Sequence, residues 1–184
     1  MLALGIELPS FALPDLDGNF VTDQDFAHAT ALVVAFLCPH CPYVKHVRRT
    51  FAEVAKAYQA RDVAVVAINP NDPTAYPEDD PAGMRREAVS AGYTFPYLID
   101  ESQDVAKAFR AACTPDFYVF DRHRRLAYRG QFDASRPKSQ TPVTGADLRG
   151  ALDALLGGTS VRSTQRPSVG CSIKWKPGNA PRWA

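Results

Sequence analysis

The 184-residue sequence lacks any apolar run close to the roughly 20 residues that a membrane-spanning helix needs. It also lacks an excess of charge of one sign, because its formal net charge at pH 7 is +1. Its N-terminus has no basic start, and Glu7 and Pro9 interrupt the apolar residues there, which argues against a secretory signal. We therefore expect a cytoplasmic protein with neither a membrane nor a nucleic acid as partner, and an export signal removed ahead of Met1 stays open.

Cysteine is also scarce, with four residues in the chain: Cys38, Cys41, Cys113 and Cys171. Four cysteines are too few for a disulfide scaffold in a chain of this length. In a reducing compartment, a close pair serves metal binding or redox catalysis more often than structural stapling. The pair within Leu37-Cys-Pro-His-Cys-Pro42 is therefore the first candidate site.

The apolar pattern predicts an α/β domain in which helices cover both faces of a sheet. Continuous apolar runs predict buried strands at 31–37 and 63–68. A period of three to four residues predicts an amphipathic helix over 39–60. The other predicted elements are a hairpin within 9–22, helices at 82–91, 103–112 and 144–156, and strands at 95–99, 116–121 and 126–132. Thr144 is expected to cap the last helix.

Composition divides the chain into a domain over residues 1–157 and an arm over residues 158–184. The arm carries five basic residues and no acidic one. Its apolar segment, residues 169–175, is costly to leave in water. We therefore expect an extended basic arm that packs on the same domain and brings Cys171 close to it.

The position of the cysteine pair between a strand and a helix favours redox chemistry. The first amides of a helix lack intrahelical partners and stabilise a thiolate. Pro39 suits the first helical position, and His40 titrates in a useful pH range. We therefore expect Cys38 to be the exposed, reactive thiol with a lowered pKa, and Cys41 to be buried.

The Cys-Pro-His-Cys motif, the segment from Gly5 to Gly18 and the Thr114-Pro115 step together resemble the thioredoxin superfamily, in its peroxiredoxin-like AhpC/TSA and redoxin branch. The resemblance covers about residues 5–157. It implies a thioredoxin-like fold with a central mixed sheet, an N-terminal hairpin and an extended C-terminal arm. It also implies that Cys38 is the nucleophile, that Cys41 resolves the mixed disulfide, and that Thr114 and a cis Pro115 bind the substrate backbone.

These features predict a thiol–disulfide oxidoreductase that acts without a cofactor or a metal. Its partners would be protein or low-molecular-weight thiols and disulfides, together with a thiol reductant that the sequence does not name. One alternative is an antioxidant peroxidase of the peroxiredoxin type. Another is a copper or zinc chaperone of thioredoxin fold, with Cys38, His40 and Cys41 as ligands. The CxxC spacing favours exchange, because metal chaperones of that fold generally carry CxxxC and a distant histidine. A monomer and a dimer both remain open.

Three further features are secondary. Cys113 and Cys171 are possible auxiliary redox thiols. The simpler interpretation is a small residue that fills space for Cys113 and an inert cysteine of the arm for Cys171. The segment 69–72 follows a strand end, where α/β proteins often bind ligands, and we interpret it as a plain turn. Residues 31–37 contain none of the buried acid that thioredoxins carry, so proton transfer needs another group.

We predict that hydrogen peroxide oxidises the reduced chain slowly, because the residue that would polarise a peroxide is missing. Peroxiredoxins carry Pro-x-x-x-Thr-x-x-Cys. Counting back from Cys41 places Cys38 at the threonine position, and counting back from Cys38 places Ala35 there. Stopped-flow oxidation of the reduced protein measures the rate. A rate comparable to that of a dedicated peroxiredoxin would contradict the prediction.

Overall fold

A five-stranded mixed β-sheet forms the centre of the molecule in the computed structural model, which describes residues 2–183. The order across the sheet is β5-β4-β3-β7-β8. Strand β3 pairs in parallel with β4, as β4 does with β5, whereas β7 is antiparallel to both β3 and β8. These strands are β3 (Ala31–Phe36), β4 (Val63–Asn69), β5 (Tyr97–Ile99), β7 (Asp116–Phe120) and β8 (Leu126–Gly130). The predicted mixed sheet is confirmed.

Helices lie on both faces of this sheet, as the strand–helix alternation predicts. They are α1 (Pro42–Gln59), α2 (Pro81–Ala91), α3 (Asp104–Ala108) and α4 (Ala146–Leu156). Helices α1, α2 and α4 share one apolar cluster with alternate residues of β3. The remaining β3 residues pack with α3 and with the predicted N-terminal hairpin, formed by β1 (Ala12–Pro14) and β2 (Phe20–Thr22). Within residues 2–183, no helix has the length and apolar character that crossing a membrane requires.

Two helix starts differ from the prediction, each for a local reason. Helix α1 begins at Pro42 rather than at residue 39, because Cys41 is extended and the ring of Pro42 suits the first helical position. Helix α4 begins at Ala146, and Thr144 does not cap it. Instead, the Asp133 carboxylate accepts hydrogen bonds from the amides of Thr144 and Gly145, each at 2.7 Å.

Helix α3 is also shorter than predicted. The periodic pattern extends to residue 112, whereas the helix ends at Ala108. The chain turns sharply there, because Arg110 adopts a left-handed conformation with a φ of 50°. The Arg110 carbonyl, freed from the helix, accepts a hydrogen bond from Arg129 at 2.9 Å.

Residues 165–176 run along the edge of the domain. Ser168 donates to the carbonyl of Gly130, the last residue of β8. Further on, β9 (Cys171–Ser172) pairs antiparallel with β6 (Cys113–Thr114), the short strand before β7. Ile173 is only 3% exposed and packs into the apolar cluster that β3 forms with α3 and the N-terminal hairpin. The division into a domain ending at residue 157 and a separate arm stays a prediction.

Glu87 is a buried acid on the inner face of α2, with 3% of its surface exposed. Tyr97 donates a hydrogen bond to it at 3.2 Å, and its other carboxylate oxygen has no partner in the described part of the chain. Burial raises the pKa of Glu87 from 4.5 to about 7, against the opposing effects of Tyr97 and Arg48. The carboxyl group therefore favours its neutral form in the folded protein.

We predict that the free energy of unfolding falls as pH rises from about 4.5 to about 7, because only the folded state keeps the Glu87 proton in that range. Below this range, the contribution of Glu87 to stability is fully present. Glu87→Gln should remove this dependence and raise stability at pH 8 by up to about 3 kcal/mol. Urea unfolding at pH 5 and pH 8 tests this, with the exposed Glu53→Gln as control. Equal pH dependence in wild type and Glu87→Gln would contradict it.

Candidate redox site

The two cysteines of the motif lie where β3 ends and α1 begins. Both are fully buried, with an exposed fraction of 0% each. The Sγ atom of Cys38 lies 3.0 Å from the hydroxyl of Thr114 and 3.5 Å from Nδ1 of His40. The expectation that Cys38 is exposed is therefore wrong, because residues distant in sequence cover it. Cys41 is buried, as expected.

Thr114 contacts both sulfur atoms. Besides the contact of its hydroxyl with Cys38, its carbonyl oxygen accepts a hydrogen bond at 3.1 Å from the thiol of Cys41 while that thiol is protonated. The Thr114–Pro115 peptide is cis, as the resemblance implies. The structure thus brings the sequence-predicted residues Cys38, His40, Cys41, Thr114 and Pro115 together, whereas Pro39 forms the turn that separates Cys38 from the helix.

The electrostatics of the pair differ from the prediction. Burial raises the pKa of Cys38, and the neighbouring Cys41 and Asp79 raise it further. A hydrogen bond from the Cys38 thiol lowers the pKa of Cys41, against burial, and the amide of Val44 lowers it further. The start of α1 contributes to this order, because Cys41 is the residue directly before the helix and the amide of Val44 belongs to its first turn. The thiolate of the reduced pair is favoured on Cys41.

A carboxylate that the sequence analysis missed holds His40 in place. The backbone amide of His40 donates to Asp79 at 2.9 Å, and its Nδ1 lies 2.5 Å from the other carboxylate oxygen. The Asp79 side chain is fully buried. Because the carboxylate keeps the hydrogen of the ring on Nδ1, that hydrogen also faces Cys38. Asp79 lies 39 residues from His40 in an acidic, proline-rich loop, and no motif spacing links the two.

Two asparagines donate hydrogen bonds to Asp79 and hold it in position. Asn71 donates to its carboxylate at 2.8 Å, and Asn69 donates to its carbonyl at 2.9 Å. Both asparagines are buried. The interpretation of residues 69–72 as a plain turn is therefore incomplete, since this segment positions the acid. The sequence signal that could have indicated this positioning role is the polar segment directly after a buried strand.

Aromatic and basic groups cover the outer side of His40. Its ring stacks on Tyr76 with 4.1 Å between the ring centroids. Lys174, from the C-terminal segment, places its Nζ 5.2 Å from the centroid of Tyr76. The backbone of Lys174 also bonds to Asn71 and to Asp72. The C-terminal segment is thus part of the wall of the site.

The other two cysteines lie on opposite faces of the short β6–β9 ribbon. Thr114 pairs directly with Cys171, and Cys113 pairs with Ser172. Directly paired residues of antiparallel strands place their side chains on the same face. Cys171 therefore faces the redox pair together with Thr114. Cys113 faces away, and its thiol donates to the carbonyl of Pro115 at 3.7 Å.

Cys38, His40 and Asp79 also form the candidate metal cluster of the described chain, with their ligand atoms within 4.8 Å of one another. This set differs from the predicted ligands, because Asp79 takes the place of Cys41. Nδ1 of His40 is engaged with the carboxylate at 2.5 Å, so a metal would have to replace that hydrogen bond. The geometry favours a hydrogen-bonded group around a thiol over a metal centre.

Comparisons with known proteins agree with this assignment of the fold. The model of the AhpC/TSA family matches residues 4–129. The thiol-disulfide oxidoreductase ResA of Geobacillus thermodenitrificans is 23% identical over 125 residues, which are 68% of this chain and 67% of that protein. A thioredoxin-family thiol:disulfide interchange protein of Chlorobium tepidum superposes with a TM-score of 0.65 at 18% identity, covering 85% of this chain and all of that one. That likeness confirms the thioredoxin-like fold.

Two solved structures are similar over almost the whole chain. A hypothetical protein of Sinorhizobium meliloti is 50% identical, with a TM-score of 0.95 and 97% of each chain covered. A conserved protein of Geobacillus kaustophilus is 53% identical, with a TM-score of 0.94, covering 97% of this chain and 95% of that one. Because the coverage is nearly complete, most of the C-terminal segment belongs to the shared structure.

We predict that Cys41 is the most acidic thiol of the reduced chain. Cys41→Ser should remove the first step of the thiolate absorbance titration. Cys38→Ala should keep that step and move it to higher pH, because it removes the hydrogen-bond donor. Cys113→Ser, on the opposite face of the ribbon, should leave the step unchanged. Loss of the step in Cys38→Ala together with its retention in Cys41→Ser would contradict the prediction.

Proposed function

Because the chain belongs to the AhpC/TSA family, we propose that it is a thiol–disulfide oxidoreductase whose redox pair is Cys38 and Cys41. One observation carries the proposal: two sulfurs at a strand–helix junction both contact Thr114, Cys38 through the hydroxyl at 3.0 Å and Cys41 through the carbonyl oxygen at 3.1 Å. The similarity to ResA, a named thiol-disulfide oxidoreductase, supports the same chemistry. A pair of thiols that shares one proton provides a thiolate for the first step of disulfide exchange and a second sulfur for the step that closes the disulfide.

The exchange proceeds in two balanced steps. The thiolate of Cys41 attacks one sulfur of a substrate disulfide, so that a mixed disulfide forms and the other substrate sulfur leaves with the electron pair. Cys38 then loses its proton and attacks the sulfur of Cys41. The Cys38–Cys41 disulfide closes, and the second substrate sulfur leaves as a thiolate that takes up a proton. The substrate gains two electrons, and the pair loses two.

Two neighbours assist the second step by stabilising negative charge on Cys38. The hydroxyl of Thr114 lies 3.0 Å from the sulfur and can donate to it. The Nδ1 hydrogen of His40 faces the same sulfur from 3.5 Å. Asp79 orients that ring but opposes the charge on sulfur, since it raises the pKa of Cys38. Cys38 therefore stays protonated at rest, and donors are ready when the charge develops.

The proposed substrates are protein or low-molecular-weight disulfides, and the electron donor is a thiol reductant. We also propose that the protein works in the cytoplasm, where a pool of reduced thiols would return the pair to the dithiol state. The near-neutral net charge of +1 supports no preference for a strongly acidic or basic partner.

Equilibration with oxidised glutathione tests the proposed pair. We expect peptide mapping after thiol alkylation to find a Cys38–Cys41 disulfide in the wild-type chain. Insulin reduction with dithiothreitol should be accelerated by the wild type and by Cys113→Ser. Cys41→Ser should lose the acceleration, since it removes the attacking sulfur. A wild type no faster than Cys41→Ser would refute the proposal.

A further inference from the structure

The redox pair has no direct opening to solvent. Cys38 and Cys41 are each 0% exposed, so the access of an external thiol or disulfide to either sulfur is restricted in this arrangement. Cys171 is only half-buried, and it packs against the apolar cluster that contains Cys38 and Cys41. Of the three cysteines on this face, Cys171 is the one that the structure leaves partly exposed.

Cys41 interacts with both of the other cysteines on this face. The thiol of Cys38 and both the amide and the thiol of Cys171 affect its pKa. Its own sulfur lies 3.1 Å from the carbonyl oxygen of Thr114, and Cys171 packs against the apolar cluster that contains Cys38 and Cys41. The register of the β6–β9 ribbon fixes this position, because Cys171 stands opposite Thr114. Gly170 makes the close approach possible: a Cβ there would lie 2.0 Å from the carbonyl oxygen of Thr114.

The segment that carries Cys171 is held firmly on the domain. Ile173, two residues further on, is 3% exposed. Gln103, which is fully buried, donates to the carbonyl of Lys174 at 3.0 Å and accepts from the amide of Lys176 at 2.9 Å. These contacts keep the thiol of Cys171 beside Cys41 and oppose a movement of the segment that would open the pair.

We propose that Cys171 is a third redox-active thiol, which carries the disulfide between the buried pair and the surface. The proposal rests on the proposed function of Cys38 and Cys41. In the oxidised chain, the sulfur of Cys171 attacks that of Cys41 after losing its proton. The Cys41–Cys171 bond forms, the Cys38–Cys41 bond breaks, and its electron pair and the proton move to Cys38. The exchange involves no net oxidation, and it leaves the disulfide where an outside thiol reaches Cys171.

The charges near Cys171 favour this direction after the pair is oxidised. In the reduced protein, burial raises the pKa of Cys171 to about 11, and the neighbouring Cys41 contributes to the rise. Closure of the Cys38–Cys41 disulfide removes the negative charge of Cys41, whereas the lowering effect of Lys174 remains. Cys171 therefore ionises more easily when there is a disulfide to attack.

Disulfide mapping in the full chain tests the link directly. Cys38→Ser is treated with oxidised glutathione, remaining thiols are blocked with N-ethylmaleimide, and the peptides are identified by mass spectrometry. We expect a Cys41–Cys171 disulfide in most chains. Cys38→Ser/Cys113→Ser should give the same product, and Cys38→Ser/Cys171→Ser should retain glutathione on Cys41. A glutathione adduct on Cys41 with a free Cys171 in the Cys38→Ser chain would overturn the proposal.

The rate of reduction tests whether the link is used. Cys171→Ser should slow the reduction of the Cys38–Cys41 disulfide by glutathione by about tenfold or more, because both sulfurs that remain on this face are buried. Cys113→Ser should keep the wild-type rate. An unchanged rate in Cys171→Ser overturns the relay and leaves the redox pair in place. A wild type that never forms the Cys38–Cys41 disulfide overturns the proposed function instead.

Discussion

The site depends on one buried residue, Thr114, which makes contacts in three directions. Its hydroxyl contacts Cys38, its carbonyl contacts Cys41, and its backbone pairs with Cys171 on the C-terminal segment. Thr114 is fully buried and immediately precedes Pro115 and the central strand β7. Because β7 is hydrogen-bonded on both sides within the sheet, it is fixed, and it fixes the residue that organises the sulfur atoms.

A second constraint comes from the burial of polar groups around His40. A buried carboxylate is stable only when it is hydrogen-bonded, and Asp79 receives donors from His40 and Asn71. The same carboxylate places negative charge near Cys38 and opposes its ionisation. The site therefore keeps Cys38 protonated and favours the thiolate on Cys41, which reverses the order expected from a helix that starts at Cys38.

The main elements of the fold could be predicted because their signals are local. The uninterrupted apolar run at 31–37 indicates a strand buried on both faces, and the regular spacing after it indicates the long helix α1. Element ends were less predictable, since distant groups decide them. The start of α4 depends on Asp133, 13 residues before Ala146, and the start of α1 depends on an extended Cys41. Because that start lies three residues later than predicted, the residue directly before the helix is Cys41 rather than Cys38.

The sequence by itself determined the chemical class of the site, because the CxxC spacing and the strand–helix junction are properties of neighbouring residues. Only the tertiary structure decided which sulfur is stabilised as a thiolate, which acid holds His40 beside Cys38, and where the third cysteine lies. Asp79 is 39 residues from His40 and Cys171 is 130 residues from Cys41, and no local pattern encodes either contact. Both contacts arise because the edges of the sheet bring distant loops together, and burial then fixes the charges that they share.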